Sequence, residues 1–101
     1  MSGPIYEIAN LSSKSGSGDE FARQLEKGSA LIAADPTCHG VVTHRGIEDP
    51  DSFVLVIGWD SVDAHNKFRD SESMARFVGY IEKLLGGAPA FSHYNVIDNA
   101  K

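Results

Sequence analysis

The 101-residue sequence predicts an α+β fold of the ferredoxin-like kind, with elements in the order βαββαβ forming a four-stranded antiparallel sheet with two helices on one face. Three observations carry the prediction. Ser52–Trp59 alternates Phe53, Leu55, Ile57 and Trp59 against Val54, Val56 and Gly58, a strand apolar on both faces. Met74, Phe77, Val78, Ile81, Leu84 and Leu85 fall at offsets 0, 3, 4, 7, 10 and 11, the stripe of an amphipathic helix. A second helical pattern carries Phe21, Leu25 and Ile32, and strand-like alternation flanks it on both sides.

Taken in order, Ile5–Leu11 reads as the first strand, with Ile5, Ala9 and Leu11 on one side, Tyr6 and Ile8 on the other, and Glu7 and Asn10 interrupting. Ser12–Gly18 is a Ser/Gly-rich loop. Ser17 and Glu20 form a capping-box pair that starts the first helix, and Asp35-Pro36 ends it, because the residue before proline is pushed out of the helical region. Gly28 in that helix costs about 1 kcal/mol relative to alanine and implies close packing on the sheet in preference to room for a ligand. Gly40–Ile47 reads as the second strand, and Glu48-Asp49-Pro50-Asp51 as a solvated turn. After the third strand, Ser61 caps a short helix with Val62, Ala64, His65 and Phe68, and Ser71 or Ser73 restarts a longer one. Gly86-Gly87 stops that helix, Pro89 prevents its continuation, and Phe91–Ile97 alternates as the last strand.

The length fits one domain, residues 1–101. Nine Lys and Arg against fourteen Asp and Glu give a net charge of -5, which excludes a nucleic-acid partner, since phosphate affinity needs clustered cations. The apolar runs are too short to span a membrane. Met1-Ser2-Gly3-Pro4 shows no basic-then-apolar leader, and Cys38 is the single cysteine, so a cytoplasmic protein without disulfides is expected. Two helices shield one face of a four-stranded sheet. The other face leaves strand Val, Leu, Ile and Phe side chains uncovered, which predicts a homodimer joined through sheet faces.

Phe53-Val54-Leu55-Val56-Ile57-Gly58-Trp59-Asp60-Ser61-Val62-Asp63-Ala64-His65, followed by Phe68-Arg69-Asp70-Ser71, resembles the strand-Trp-x-Ser-x-x-Ala-His signature of the antibiotic biosynthesis monooxygenase (ABM) family, within the dimeric α/β-barrel superfamily. Phe91–Ile97 is similar to the family's last strand. The resemblance implies a homodimeric α/β barrel with a pocket in each protomer, and a cofactor-independent monooxygenase acting on a small aromatic or quinol-like substrate. It implies no metal, flavin or haem. The bound substrate, as an electron-rich anion, reduces O₂ itself, while the protein supplies hydrogen-bond donors, a base and a dry cavity. The haem-degrading branch of the superfamily uses an Asn on the first strand, which Asn10 matches. It also uses a Trp and a His at positions that fall near Phe68 and Phe77 here, so the resemblance does not extend to that chemistry.

His65 and His93 are the candidate proton acceptors, because an imidazole titrates near the pH at which a phenolic hydroxyl must be activated. Asn10, Trp59, Phe68, Phe77, Tyr80 and Tyr94 are the candidate substrate-binding residues. Each has a structural reading beside it. Trp59 fills a strand–helix junction with one hydrogen bond, and His65 is a neutral core histidine bonded to a strand partner. Alternation puts His93 and Phe91 on one face of the last strand and Tyr94 on the other, without saying which faces the pocket. His44 is expected in a sheet interface and His39 in a solvated loop. No paired histidine spacing and no neighbouring carboxylate suggests a metal site. The alternative function is a non-catalytic dimeric barrel that binds a small molecule or serves a stress-related role.

Overall fold

The computed structural model describes residues 4–100, so Met1-Ser2-Gly3, part of the leader reading, lie outside it. Eight elements follow one another. They are β1 (Ile5–Ser12), α1 (Gly18–Ala33), β2 (Cys38–Arg45), β3 (Ser52–Trp59), α2 (Val62–Arg69), α3 (Glu72–Ile81), a 3₁₀ turn (Glu82–Leu84) and β4 (Ala90–Tyr94). The sheet order is β2-β3-β1-β4 with every neighbouring pair antiparallel, so β3 is inserted between β1 and β2, which α1 connects. This is the predicted α+β ferredoxin-like fold.

Strand register decides which side chains meet the helices. Ile5, Glu7, Ala9 and Leu11 of β1 face inward beside Trp59, Ile57, Leu55 and Phe53 of β3. Trp59, Phe21, Phe53, Leu25, Leu55 and Ile81 are the largest fully buried side chains. The opposite face carries Tyr6, Ile8 and Asn10 beside Val54 and Val56, with Val42 and Tyr94 flanking them. Val42 is 57% and Tyr94 49% exposed, so apolar surface on this face stands open in the single chain.

Local signals place the helices. Ser61 Oγ accepts from Ala64 N–H at 3.0 Å and Ser71 Oγ from Met74 N–H at 3.2 Å, each satisfying one of the free donors at a helix start. The pair of caps splits the second helical region into α2 and α3. Gly28 of α1 packs not on the sheet, as expected, but on α3, where a Cβ would lie 2.7 Å from Phe77 Cδ1, because the two helices lie side by side over the sheet.

Four further local expectations are corrected. Ser17 stands before α1, but at ψ 8° its hydroxyl makes no cap bond, and Glu20 holds Arg23 and Gln24 instead. β2 begins at Cys38 and ends at Arg45 instead of running over Gly40–Ile47, with an irregularity at Cys38–Gly40 that Gly40 accommodates at φ +143°. The α-helical part of the 74–85 stripe stops at Ile81, and its last turn tightens to 3₁₀. β4 stops at Tyr94, leaving Ile97 fully exposed, because its partner β1 begins at Ile5 and Pro4 offers no N–H to extend the ladder.

Candidate functional site

The inner face of the sheet, α1, α3 and the edge of β4 enclose a cavity of ≈ 120 Å³. Its wall is apolar apart from Glu7, Trp59 and His65. The three are far apart in sequence and are brought together by the fold. Glu7 lies inward on β1, two residues from Ile5, Trp59 ends β3 opposite Ile5, and His65 rides on α2 immediately after β3.

One carboxylate oxygen ties them together. The Trp59 indole N–H donates to Glu7 Oε1 at 3.0 Å, and His65 Nε2 lies 3.1 Å from the same oxygen. On its far side His65 Nδ1 is 2.7 Å from His93 Nε2 of β4, the residue paired with Glu7 in the sheet. Glu7, His65 and His93 therefore form a continuous chain of proton-carrying groups from the cavity towards the partly exposed edge strand. The rings reinforce it. Trp59 stacks on His65 with centroids 5.3 Å apart, and Phe91 meets His65 edge-on at 5.4 Å. The Arg69 guanidinium sits over the outer side of Phe91, 5.4 Å from the ring centre.

Burial sets the protonation of the chain. It pushes the Glu7 carboxyl above the usual carboxylate range, opposed by the Trp59 hydrogen bond and the charge of Arg69. It pulls His65 down to about 4, helped by His93 and Arg69, so His65 is a neutral imidazole at physiological pH. A neutral ring carries one N–H and one lone pair, so the chain can pass a proton by exchanging which nitrogen of each ring holds it. His65 and His93 share a hydrogen bond, and His65 Nε2 stands 3.1 Å from Glu7 Oε1. Among the described residues no group of three or more His, Cys, Asp or Glu side chains is arranged to hold a metal ion.

Residues 4–80 match the family described as antibiotic biosynthesis monooxygenase. The chain belongs to the antibiotic biosynthesis monooxygenase family. A solved structure of this type from Bordetella bronchiseptica is 29% identical, with a TM-score of 0.89 over 95% of this chain and 99% of that one. A Pseudomonas aeruginosa structure at 24% identity has a TM-score of 0.80, covering 95% and 97% of the two chains. SnoaB from Streptomyces nogalater, a cofactor-independent oxygenase, shares the fold at a TM-score of 0.82 over 97% of each chain, with 13% identity. No curated protein matches the sequence.

Against the residues expected of an antibiotic biosynthesis monooxygenase site, the placement is mixed. Trp59, His65, Phe68 and Phe77 all line the cavity, and His93 stands directly behind His65. The indole N–H of Trp59 is committed to Glu7, so Trp59 contributes a wall and not a donor for a ligand. Three candidates lie elsewhere. Asn10 and Tyr94 project from the opposite face of the sheet, because their strand parity is that of Tyr6. Tyr80 is 38% exposed on α3 and is absent from the cavity wall. His44 is on the outer face, bonding Val54 O at 3.3 Å, whereas His39, expected in a loop, lies in β2 and pairs with Asp60. The residue the sequence reading passed over is Glu7. Its parity with Ile5, Ala9 and Leu11 was the available signal, since a carboxylate in register with an apolar face is buried if that face is.

Proposed function

We propose that the protein is a monooxygenase that needs no bound cofactor and acts on a small, single-ring aromatic substrate of the hydroquinone class. The observation that carries the reading is a partly open apolar cavity with one polar wall, at which the row of groups Glu7, His65 and His93 begins. Size selects the ring count. A cavity of about 150 Å³ takes up benzene, so ≈ 120 Å³ in a partly open cavity buries no more than one ring and leaves no room for fused ones.

The chemistry follows from the setting. Removing a hydroxyl proton turns the hydroquinone into an electron-rich anion that can give an electron to O₂. Combination at a ring carbon forms a peroxide. Loss of water from it leaves a carbonyl, so one oxygen atom of O₂ enters the product, the other leaves as water, and the hydroquinone becomes a hydroxyquinone. The apolar wall excludes competing water and strengthens the electrostatics of the polar groups. Family membership and the likeness to SnoaB support the reaction class. The uncovered outer face, with Val42 and Tyr94 half-exposed, supports a homodimer joined through sheet faces.

Oxygen uptake with single-ring hydroquinones tests the proposal. Uptake by the wild type that falls in His65→Ala is expected. A ligand-dependent rise in melting temperature with wild-type uptake at background would reject the enzyme and assign the cavity to binding alone.

A further inference from the structure

We propose that the atom receiving the substrate's proton is Oε2 of Glu7, and that His65 and His93 are positioning residues that hold this carboxylate and carry its proton away. The inference rests on the monooxygenase reading for the reaction it serves, but its geometry stands independently. Three side chains contribute polar groups to the cavity wall, and their atoms can be taken in turn. The Trp59 indole N–H is spent on Glu7 Oε1 at 3.0 Å. His65 Nδ1 is spent on His93 at 2.7 Å, and His65 Nε2 faces Oε1 at 3.1 Å. Glu7 Oε2 takes no hydrogen bond from the described residues, and it is not sealed away, since no fully buried side-chain polar atom lacks a partner among them. A hydroxyl entering the cavity therefore meets Oε2 as its open acceptor.

Relative basicity points the same way. Burial acts in opposite senses on the two groups, raising the basicity of the Glu7 carboxylate and lowering that of the His65 ring. A carboxylate made more basic by burial is the form in which enzymes use this group as a general base. Charge accounting favours it further. When a phenol passes its proton to Glu7, one buried anion replaces another, and the cavity's net charge does not change. When it passes its proton to neutral His65, a cation and a second anion appear together in an apolar space beside the Glu7 carboxylate. The charged and titratable groups that feel Glu7 are His65 and Arg69 from α2, His93 from β4 and the Cys38 thiol from β2, whose ionisation the Glu7 charge further disfavours. Arg69 offsets the anion throughout, whichever molecule carries it.

The proton then has an exit. Rotation of the protonated carboxyl brings its O–H from the cavity side to His65 Nε2, which takes the proton; His65 passes the proton on Nδ1 to His93 Nε2, and His93 releases its own Nδ1 proton to water at the edge of β4. Each transfer breaks one N–H or O–H bond and forms one; the carboxylate is restored, and the two rings, left as the opposite tautomers, return to their starting form by turning over before the next proton arrives.

Glu7→Gln is the decisive variant because it keeps an oxygen for the Trp59 N–H and almost the same volume. It is expected to melt no lower than the wild type and to lose at least 100-fold in kcat, with the acid limb of the kcat/KM profile gone. His65→Asn is expected to lose about tenfold and to keep that limb. Glu7→Gln with wild-type kcat and an unchanged limb would overturn the proposal, as would loss of the limb in His65→Asn alone. A readout without turnover separates this result from failure of the monooxygenase reading. Bound 4-nitrophenol, followed by its visible anion band, is expected to ionise at a proton concentration at least tenfold higher in Glu7→Gln than in the wild type, because its oxygen no longer sits against a carboxylate. Equal midpoints would show that Glu7 does not face the ligand hydroxyl, whether or not the wild type consumes oxygen.

Discussion

Replacing Gly28 by alanine tests the link between helix packing and the cavity. Alanine is the better helix former by about 1 kcal/mol in the interior of α1. Its Cβ, however, would stand 2.7 Å from Phe77 Cδ1 and 3.1 Å from Cε1, where ordinary contact begins near 3.4 Å, so the ring must withdraw by about 0.7 Å. Overpacking of a filled core costs about 1–3 kcal/mol. Phe77 backs onto the cavity, which gives the ring somewhere to go, so the cost belongs at the lower end, about 1 kcal/mol, and nearly cancels the helix gain. The melting temperature should therefore move by no more than about 5 °C, given about 4–8 °C per kcal/mol for a domain of this size. Space for the ligand is lost instead. A hydroquinone that raises the wild-type melting temperature should leave that of Gly28→Ala unmoved. Chemical denaturation and thermal shift with and without ligand measure both quantities. A loss of more than about 3 kcal/mol would show that the ring cannot yield. Ligand binding equal to wild type would show that Phe77 is not a wall of the site.

Two further outcomes follow from burial. Between pH 6.5 and about 4 the unfolded chain protonates His65 while the folded chain does not, so stability falls as pH falls through that window, by about 3 kcal/mol at its lower end. Glu7 works in the opposite sense, because its raised folded value makes its contribution fade as pH rises above the ordinary carboxylate range. Urea denaturation of His65→Asn at pH 4.5 and 7 should show a smaller acid-side loss than the wild type, and parallel losses would refute the assignment. On the outer face, Val56 lies between Ile8 and Val42 in one row across three strands. Sedimentation should give a dimer for the wild type and a monomer for Val56→Asp, and a monomeric wild type would remove the proposed sheet-face association.

The fold was legible because its signals are local and redundant. β3 alternates without a break over Ser52–Trp59, and Ser61 and Ser71 each cap the helix they precede. Signals that depend on a neighbour were not legible. The end of β4 is fixed by where β1 begins, and the face of His93 by its pairing with Glu7, neither of which alternation within one segment can supply. The site was half legible for the same reason. Trp59, His65 and Phe68 share one stretch of sequence, whereas Glu7 is 52 residues from the indole that binds it and looked like a break in a strand. Asn10 shows the complementary error. An amide of suitable chemistry was counted towards the pocket although its parity with Tyr6 and Ile8 puts it on the other face.

Glu7 is also the point at which folding and function pull apart. A domain of this size is stable by only about 5–15 kcal/mol in total, and a buried carboxylate with a buried imidazole against it draws on that margin. The surrounding positions show what folding alone would choose. Ile5, Ala9 and Leu11 on the same face of β1, and Leu55 and Ile57 across from them, are apolar. A leucine at residue 7 would extend that surface and remove the desolvation of the acid. What the acid provides in exchange is an oxygen bound to an indole on one side, a proton path on the other, and an empty apolar space in front. A merely structural hydrogen bond to Trp59 could be made by glutamine without the buried charge. The difference between those two side chains is one ionisable proton, and it is that proton which the proposed reaction requires.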